Sequence, residues 1–173
     1  DGYSDLIATC NSKLAIYRNT TAAVGGDISF DSYSELIEAT TWRDVMCADM
    51  DGDARVDIVA GGSDRVAIFQ STTPTGGTTL SFAAPVTCMT ARNTYTMDIG
   101  DLDGDFQPDI VTANWPSPDF TLIRNATTPG TLSLAAPQYI TAVSPPGIAL
   151  GDFDSDGKLD VITMVDGMGW NLA

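Results

Sequence analysis

The chain has 173 residues, 43% of them hydrophobic, and its 23 acidic and 8 basic side chains give a formal net charge of −15. This balance speaks against nucleic-acid binding, which needs a basic surface, and no apolar run approaches the ~20 residues of a membrane-spanning helix. Histidine is absent, so the usual general base and the commonest transition-metal ligand are missing.

The acidic residues concentrate in one motif that occurs three times. It reads ADMDGDARVDI from Ala48, IGDLDGDFQPDI from Ile99 and LGDFDSDGKLDV from Leu150. The opening DGYSDLI matches the second half of a fourth copy, and together these segments hold 14 of the 23 acidic residues. Crowded carboxylates repel one another and raise each other's pKa, so the pattern is costly unless a cation is present.

The motif belongs to a repeat that runs through the whole chain. Asp53, Asp105 and Asp156 are 52 and 51 residues apart, and apolar segments outside the loops keep the same spacing. A fixed period of this length indicates a repeat architecture. We therefore predict one partial β-propeller over residues 1–173, with units at approximately 1–48, 49–100, 101–151 and an incomplete 152–173.

Each unit has the pattern of β structure. A short apolar run follows each loop, and an alternating strand follows that run, with inward positions at Leu14/Ile16, Val66/Ile68, Phe120/Leu122 and Trp170/Leu172. A turn rich in Thr, Gly and Pro then leads to a predicted third strand around Phe30, Phe82 and Leu134, and a fourth strand runs into the next loop. Four short antiparallel strands in every unit are typical of a propeller blade.

The aspartate loop offers oxygen ligands alone, which favours a hard cation such as calcium. Carboxylates at loop positions 1, 3, 5 and 9, with the main-chain carbonyl of position 7, would surround one ion. The predicted ligands are Asp49, Asp51, Asp53, Arg55 and Asp57; Asp101, Asp103, Asp105, Gln107 and Asp109; and Asp152, Asp154, Asp156, Lys158 and Asp160. Asp1 and Asp5 would form a partial fourth site.

Two alternatives compete with this calcium loop. An EF-hand needs a bidentate Glu at position 12 and flanking helices, but position 12 is Ala60, Thr112 or Thr163, and predicted strands flank each loop. An acidic turn without metal is the other alternative, and three loops in register make it the weaker one.

These loops and the apolar strands after them resemble the FG-GAP/VCBS family, the calcium-loop repeat of integrin α-subunit propellers and of many large secreted bacterial proteins. The resemblance implies a β-propeller, usually of seven blades, with calcium in the loop between the first two strands of a blade. Ala54 and Phe106 stand where the family prefers Gly, and Ser155 replaces the other Gly in the third loop. Because a non-Gly residue at positive φ is costly, we expect the first two loops to be strained or weaker binders.

The function that this resemblance implies is an extracellular calcium-binding module for adhesion, a surface fibre or a matrix, in which calcium is structural. We expect the segment to be part of a longer protein, completed by further blades, other copies or partners. A lectin-like propeller is the alternative, with Trp42, Trp115 or Trp170 stacking on sugars unless they pack between blades. The propeller of a polysaccharide lyase or sugar dehydratase is less favoured, and we expect no catalysis by this segment.

Two further features concern modification and redox state. The sequons at Asn19 and Asn125 occupy the same repeat position and would be exposed enough to carry glycan in a secreted eukaryotic protein. Cys10, Cys47 and Cys88 form no CxxC motif, so we interpret them as small apolar residues in strands rather than as a zinc site.

Overall fold

The computed structural model describes residues 3–37, 40–77, 79–128, 131–165 and 169–172. These residues form fourteen strands in four antiparallel sheets. Sheet 1 contains β1 (Leu6–Cys10), β2 (Lys13–Tyr17) and β3 (Ser34–Ile37), and sheet 2 contains β4 (Trp42–Ala48), β5 (Asp57–Gly62), β6 (Arg65–Phe69) and β7 (Val86–Met89). Sheet 3 contains β8 (Thr96–Gly100), β9 (Asp109–Ala113), β10 (Asp119–Ile123) and β11 (Gln138–Thr141), and sheet 4 contains β12 (Ile148–Gly151), β13 (Asp160–Val165) and β14 (Gly169–Leu172).

Every sheet follows the same up-and-down order, in which each strand pairs with its neighbours in sequence. Strand β8 packs against β4 on one side and against β12 on the other, and β1 packs against β4. The outer strands β3 and β11 are largely exposed. The four sheets are therefore successive blades of a β-propeller, as predicted, with their first strands on the inner side.

The cores lie between the sheets. Leu14 and Ile16 of sheet 1 pack with Ile58, Ala67 and Phe69 of sheet 2. Val66 and Ile68 point the other way and share a core with Ile110 and Ile123 of sheet 3. Alternate side chains of one strand thus pack into two different cores on opposite faces of the sheet. This explains why the central strands are apolar at nearly every position. A third core joins sheets 3 and 4 through Val111, Phe120 and Ile148.

The predicted third strand around Phe30, Phe82 and Leu134 is wrong. These residues form only single bridges, to Asn19, Ser71 and Asn125. The outer strands of sheets 1 to 3 begin later in the chain, at Ser34, Val86 and Gln138. The side chains of Phe82 and Leu134 pack against the inter-sheet cores. Their apolar character comes from that contact, which sequence periodicity cannot distinguish from a strand.

The strand that leads into each loop belongs to the sheet that follows it. Sheet 2 spans residues 42–89, whereas the sequence unit counted from loop to loop spans 49–100. Each sheet therefore takes its first strand from the end of the preceding sequence unit. The three cysteines lie in strands β1, β4 and β7 as free thiols, and burial raises the pKa of Cys47 and Cys88.

Candidate metal centres

The three complete aspartate loops occupy equivalent places in the fold. Each connects the first strand of a sheet to the second: β4 to β5, β8 to β9, and β12 to β13. Because the sheets share one topology, all three loops lie at the same end of the blades. The acidic residues of the chain therefore collect at that end.

The backbone of each loop curls around its first carboxylate. In the first loop, Asp49 Oδ1 accepts N–H bonds from Gly52 (2.8 Å) and Asp53 (3.2 Å), and Asp49 Oδ2 accepts one from Ala54 (2.8 Å). Asp101 makes the same three bonds in the second loop. A short polar side chain that accepts N–H bonds from the following residues is the usual stabiliser of such a turn.

Loop positions 4 and 6 both lie in the left-handed region in all three loops. The φ angles are 76° and 65° at Gly52 and Ala54, 82° and 66° at Gly104 and Phe106, and 64° and 87° at Ser155 and Gly157. Each loop thus holds one residue other than glycine at positive φ. The strain predicted for the first two loops is confirmed at Ala54 and Phe106, and Ser155 bears the same conformation at position 4 of the third loop.

The curl brings carboxylate oxygens together. Three acidic side chains in each loop offer oxygens that all lie within 4.8 Å of one another. These groups are Asp49, Asp51 and Asp53; Asp101, Asp103 and Asp109; and Asp152, Asp154 and Asp160. Positions 1 and 3 converge in every loop, position 5 joins them in the first, and position 9 joins them in the second and third. Such a cluster could hold a metal ion.

The aspartate at position 9 also ties the loop to the blade. Asp57 is fully buried, and it accepts the N–H of Met50 at 3.0 Å and that of Ser71 at 2.8 Å. Asp109 accepts the equivalent bonds from Leu102 and Asn125. Burial, with the nearby carboxylates at positions 3 and 5, raises the pKa of both Asp57 and Asp109, although the N–H bonds oppose that shift.

The residue at position 7 approaches the site through its backbone N–H. The N–H groups of Arg55, Gln107 and Lys158 donate to the position-5 carboxylates at 2.8, 2.9 and 2.8 Å. These bonds set the direction of the chain at the residue whose carbonyl is the predicted ligand.

Basic side chains approach two of the three loops. Arg124 contacts Asp103 through Nε and Asp105 through a terminal nitrogen (3.2 Å to Oδ2). Arg55 pairs with Asp53, and the side-chain amide of Gln70 donates to Asp51 at 2.6 Å. In the described part of the chain, no ion pair reaches the carboxylates of the third loop.

The predicted fourth site is only partly described. Asp5 accepts the N–H of Asn19 at 2.8 Å, which is the bond that Asp57 and Asp109 make in their own sheets. Asp5 therefore occupies the position-9 place of its unit. Asp1 lies outside the described residues, so the pairing of Asp1 with Asp5 stays a prediction.

The prediction that both sequon asparagines are exposed is wrong. Asn125 is fully buried, and its side-chain amide donates to the carbonyl of Met50 in the neighbouring sheet at 2.9 Å. The half-buried Asn19 donates to the carbonyl of Ser4 at 3.0 Å. In both cases the backbone N–H two residues later donates to the asparagine Oδ1, so the Asn-x-Thr pattern has a structural origin. Sequence reasoning missed this tie, although the repeated position was visible.

The three tryptophans differ in their surroundings. Trp42 is buried against Phe69, with ring centroids 6.1 Å apart, and it packs between sheets 1 and 2. Trp115 stays partly exposed and lies 5.4 Å from the ring of Tyr95. The side chain of Trp170 lies outside the described part of the structure.

Comparison with protein-family models gives a match to part of the chain. Residues 49–112, from the first loop to strand β9, match the model of the FG-GAP-like repeat. This confirms the resemblance that the motifs indicated. A search of curated proteins finds no relative. In the described residues, no helix is long and apolar enough to cross a bilayer.

Proposed function

Because residues 49–112 are an FG-GAP-like repeat and the same unit recurs along the chain, we propose that the protein is a calcium-binding β-propeller module. One observation carries this proposal: in each complete loop, three carboxylates converge to within 4.8 Å of one another. Like charges held so close repel one another unless a cation lies between them. Three loops repeat the arrangement at one end of the blades.

The donor set fits calcium better than other common metals. Every converging side chain is a carboxylate, and the chain has no His to serve zinc, copper or nickel. The ion would be held by the aspartates at positions 1, 3, 5 and 9 and by the carbonyl of position 7. When bound, it supplies positive charge that compensates the carboxylates and fixes the loop.

The residues of the chain prepare this site in two ways. The N–H bonds to Asp49 and Asp101 hold the position-1 carboxylates in place within the curl. The buried Asp57 and Asp109 join the loop to the segment that directly follows the third strand of the same sheet. Rigidity at the loop is therefore passed to the blade, as expected for a structural ion.

Calcium titration by isothermal calorimetry tests the proposal. The wild-type chain is expected to bind one ion in each complete loop, and Asp103→Asn is expected to remove the second loop's site. Asp27→Asn is the matched control, because Asp27 is exposed and far from the loops in sequence. No calcium binding at millimolar concentration, or unchanged stoichiometry in the Asp103 variant, would contradict the proposal.

Thermal melting provides a second measurement. An ion that binds only the folded state adds RT ln(1 + [L]/Kd) to stability, roughly 2.7 kcal/mol per site at a hundredfold excess. Chelation is therefore expected to lower Tm strongly, and Asp103→Ala to remove part of that effect. Equal melting curves in calcium and in chelator would refute a stabilising role.

We propose an extracellular setting, in which the module serves adhesion or the structure of a surface fibre or matrix. Support comes from the family resemblance, since such calcium loops occur in integrins and large secreted bacterial proteins. The module would act with further blades of the same kind, from the same polypeptide or from other copies. We propose no catalytic role, because the loop carboxylates accept backbone N–H bonds and are the groups that would hold the ion.

One observation favours the lectin-like alternative. Trp115 and Tyr95 form an exposed aromatic pair at the opposite end of sheet 3 from the second aspartate loop, and exposed rings suit stacking on sugars. A glycan array with the wild-type chain and Trp115→Ala tests it. Glycan binding that is lost in the variant would favour this function, and no binding would remove it.

A further inference from the structure

The carboxylates at positions 3 and 5 divide their two oxygens in the same way in the first and second loops. One oxygen, Oδ1, accepts a backbone N–H from within the loop. Asp51 accepts that of Asp53 at 3.2 Å, and Asp53 accepts that of Arg55 at 2.8 Å. The second loop has the same two bonds. In both loops the other oxygen, Oδ2, of each of these carboxylates contacts a long side chain.

In the first loop, these side chains are one arginine and one glutamine. Gln70 directly follows strand β6, and its side-chain amide donates to Asp51 Oδ2 at 2.6 Å. Arg55, at loop position 7, pairs with Asp53 Oδ2. The first loop therefore receives its guanidinium from position 7 and a neutral amide from the end of the strand.

The second loop receives the same two groups from exchanged places. Arg124 directly follows strand β10, and its guanidinium contacts Oδ2 of both Asp103 and Asp105, the latter at 3.2 Å. Gln107, at position 7, donates its side-chain amide to Asp105 Oδ2 at 3.3 Å. Each of the two loops is thus contacted by one arginine and one glutamine, although the two residue types have changed places.

The number of arginines is kept while their position varies. In the sequence unit of sheet 1, position 7 is Tyr3, 52 residues before Arg55, and the residue directly after β2 is Arg18. A role in packing would favour one fixed position, because packing depends on local shape. One positive charge beside the carboxylates can be supplied from either position, because Coulomb attraction depends on distance.

We propose that Arg55 and Arg124 are the resident counter-ions of the first two loops, and that calcium binds in competition with them. Without metal, the arginine compensates part of the crowded negative charge. A guanidinium and a bound cation repel each other and use the same carboxylates, so each weakens the binding of the other. The proposal rests on the proposed calcium-binding function, and it names the residues that set the calcium affinity of these loops.

Thermal melting of Arg124→Gln, in chelator and in saturating calcium, tests the second loop. In chelator, loss of this exposed charge pair should lower Tm by about 2–4 °C. In saturating calcium the loss should largely vanish, because the ion then compensates the carboxylates. Arg65→Gln is the matched control, since it removes an arginine paired with Asp64 at the other end of sheet 2, and it should change Tm equally in both conditions.

Calorimetry measures the same coupling as an affinity. In a background in which Asp51→Asn and Asp154→Asn disable the other two complete loops, Arg124→Gln should lower the calcium Kd of the second loop by roughly threefold to tenfold. Arg65→Gln should leave that Kd unchanged, although it alters the net charge of the protein by the same amount.

An exchange variant separates charge from shape. Arg124→Gln combined with Gln107→Arg gives the second loop the arrangement of the first. This double variant is expected to recover the Tm in chelator and the wild-type Kd, although the arginine now comes from another position. The mirror exchange in the first loop, Arg55→Gln with Gln70→Arg, repeats the test at a second site and does not depend on the folding of the Arg124 variant.

Three results would overturn the proposal while leaving the calcium-binding function intact. They are an unchanged Kd in Arg124→Gln, a loss of Tm that is equal with and without calcium, and exchange variants that recover neither quantity. Absence of calcium binding by the wild-type chain would overturn the proposed function and the competition together, and wild-type calorimetry identifies that outcome.

Discussion

Ala54, Phe106 and Ser155 are the residues at which the loops store backbone strain. Each adopts a φ between 64° and 66°, a region that costs an L-residue of order 1–3 kcal/mol. Each loop has a positive φ at both position 4 and position 6, and in each loop one of these two positions is glycine. The other position holds a non-glycine residue, and the hydrogen bonds to the position-1 carboxylate offset the cost.

Glycine at these positions is expected to stabilise the protein. Ala54→Gly and Phe106→Gly should each raise the free energy of unfolding by about 1 kcal/mol, because relief of the left-handed strain exceeds the entropy cost of glycine. Ala126→Gly, at an exposed position outside the positive-φ set, serves as the control and should destabilise. Urea unfolding in calcium measures all three, and destabilisation by both loop variants would contradict the prediction.

The buried carboxylates Asp57 and Asp109 make the metal-free protein sensitive to pH. Burial raises the pKa of both above the ordinary value of 3.8, so the folded state binds their protons more tightly than the unfolded state does. Stability is therefore gained as pH falls through the raised pKa towards 3.8, and it is lost as pH rises. Asp64, whose pKa Arg65 lowers, acts below 3.8 and does not oppose this trend.

We expect metal-stripped protein to melt at a higher temperature at about pH 5 than at pH 7, since that window lies above the unfolded pKa of Asp. In excess calcium the order should reverse, because protons compete with the ion for the same oxygens. Circular dichroism melts at the two pH values measure both trends. If the metal-stripped protein has a lower Tm at pH 5 than at pH 7, the conclusion that burial destabilises the charged forms of Asp57 and Asp109 is contradicted.

The sequence predicted the loops better than the hydrogen bonds that connect these loops to the sheets. Aspartate spacing indicates a cation site because four carboxylates in nine residues have few other uses. The second role of Asp57, as an acceptor for Met50 and Ser71, depends on a partner fourteen residues away. The link from Asn125 to Met50 spans 75 residues. Short-range pattern carries no information on contacts of that range, so the sequon by itself indicates a surface site.

At the scale of the strands, two aspartates join neighbouring blades. Asp44 of β4 accepts the N–H of Met97 in β8 at 2.7 Å, and Asp98 of β8 accepts that of Leu150 in β12 at 2.8 Å. Each also accepts the N–H of the next residue in its own strand. The repeat did not reveal this link, because Asp44 and Asp98 differ by 54 positions while the unit is 52 long, and their alignment is lost.

Removing one of these acceptors is expected to weaken the junction. Asp98→Leu should lower the free energy of unfolding by about 1–3 kcal/mol, because two N–H groups lose a charged acceptor. Asp98→Asn keeps one acceptor oxygen and should cost less. Urea unfolding at saturating calcium separates this effect from the loops. A leucine variant as stable as the wild type would show that the bonds contribute nothing.

The whole molecule consists of sheets that are stabilised by their neighbours. The largest core joins sheets 2 and 3, and β5, β6 and β9 are buried along nearly their whole length. The outer strands β3 and β11 are mostly exposed. In such arrays, stability is close to a sum of unit and junction contributions.

Hydrogen exchange should therefore vary with depth. We expect the slowest amide exchange in β5, β6, β9 and β10, and faster exchange in β3 and β11, because local opening requires less free energy where few apolar contacts are lost. Mass-spectrometric exchange at neutral pH measures this order. Uniform protection across all strands would indicate that the sheets open only as one unit.

The hydrogen bonds that Asp44 and Asp98 accept from the next blade give the row of blades a direction. Sheet 3 offers a backbone N–H to sheet 2 and a carboxylate to sheet 4, so the order of these blades has a polarity, as a chain of donors and acceptors does. If a whole unit is added or lost in the course of gene duplication, each such junction keeps both its carboxylate and its N–H donor. Loss of a fraction of a unit would leave one carboxylate facing no donor. Lineages of this repeat are therefore expected to vary in length by complete steps of about fifty residues.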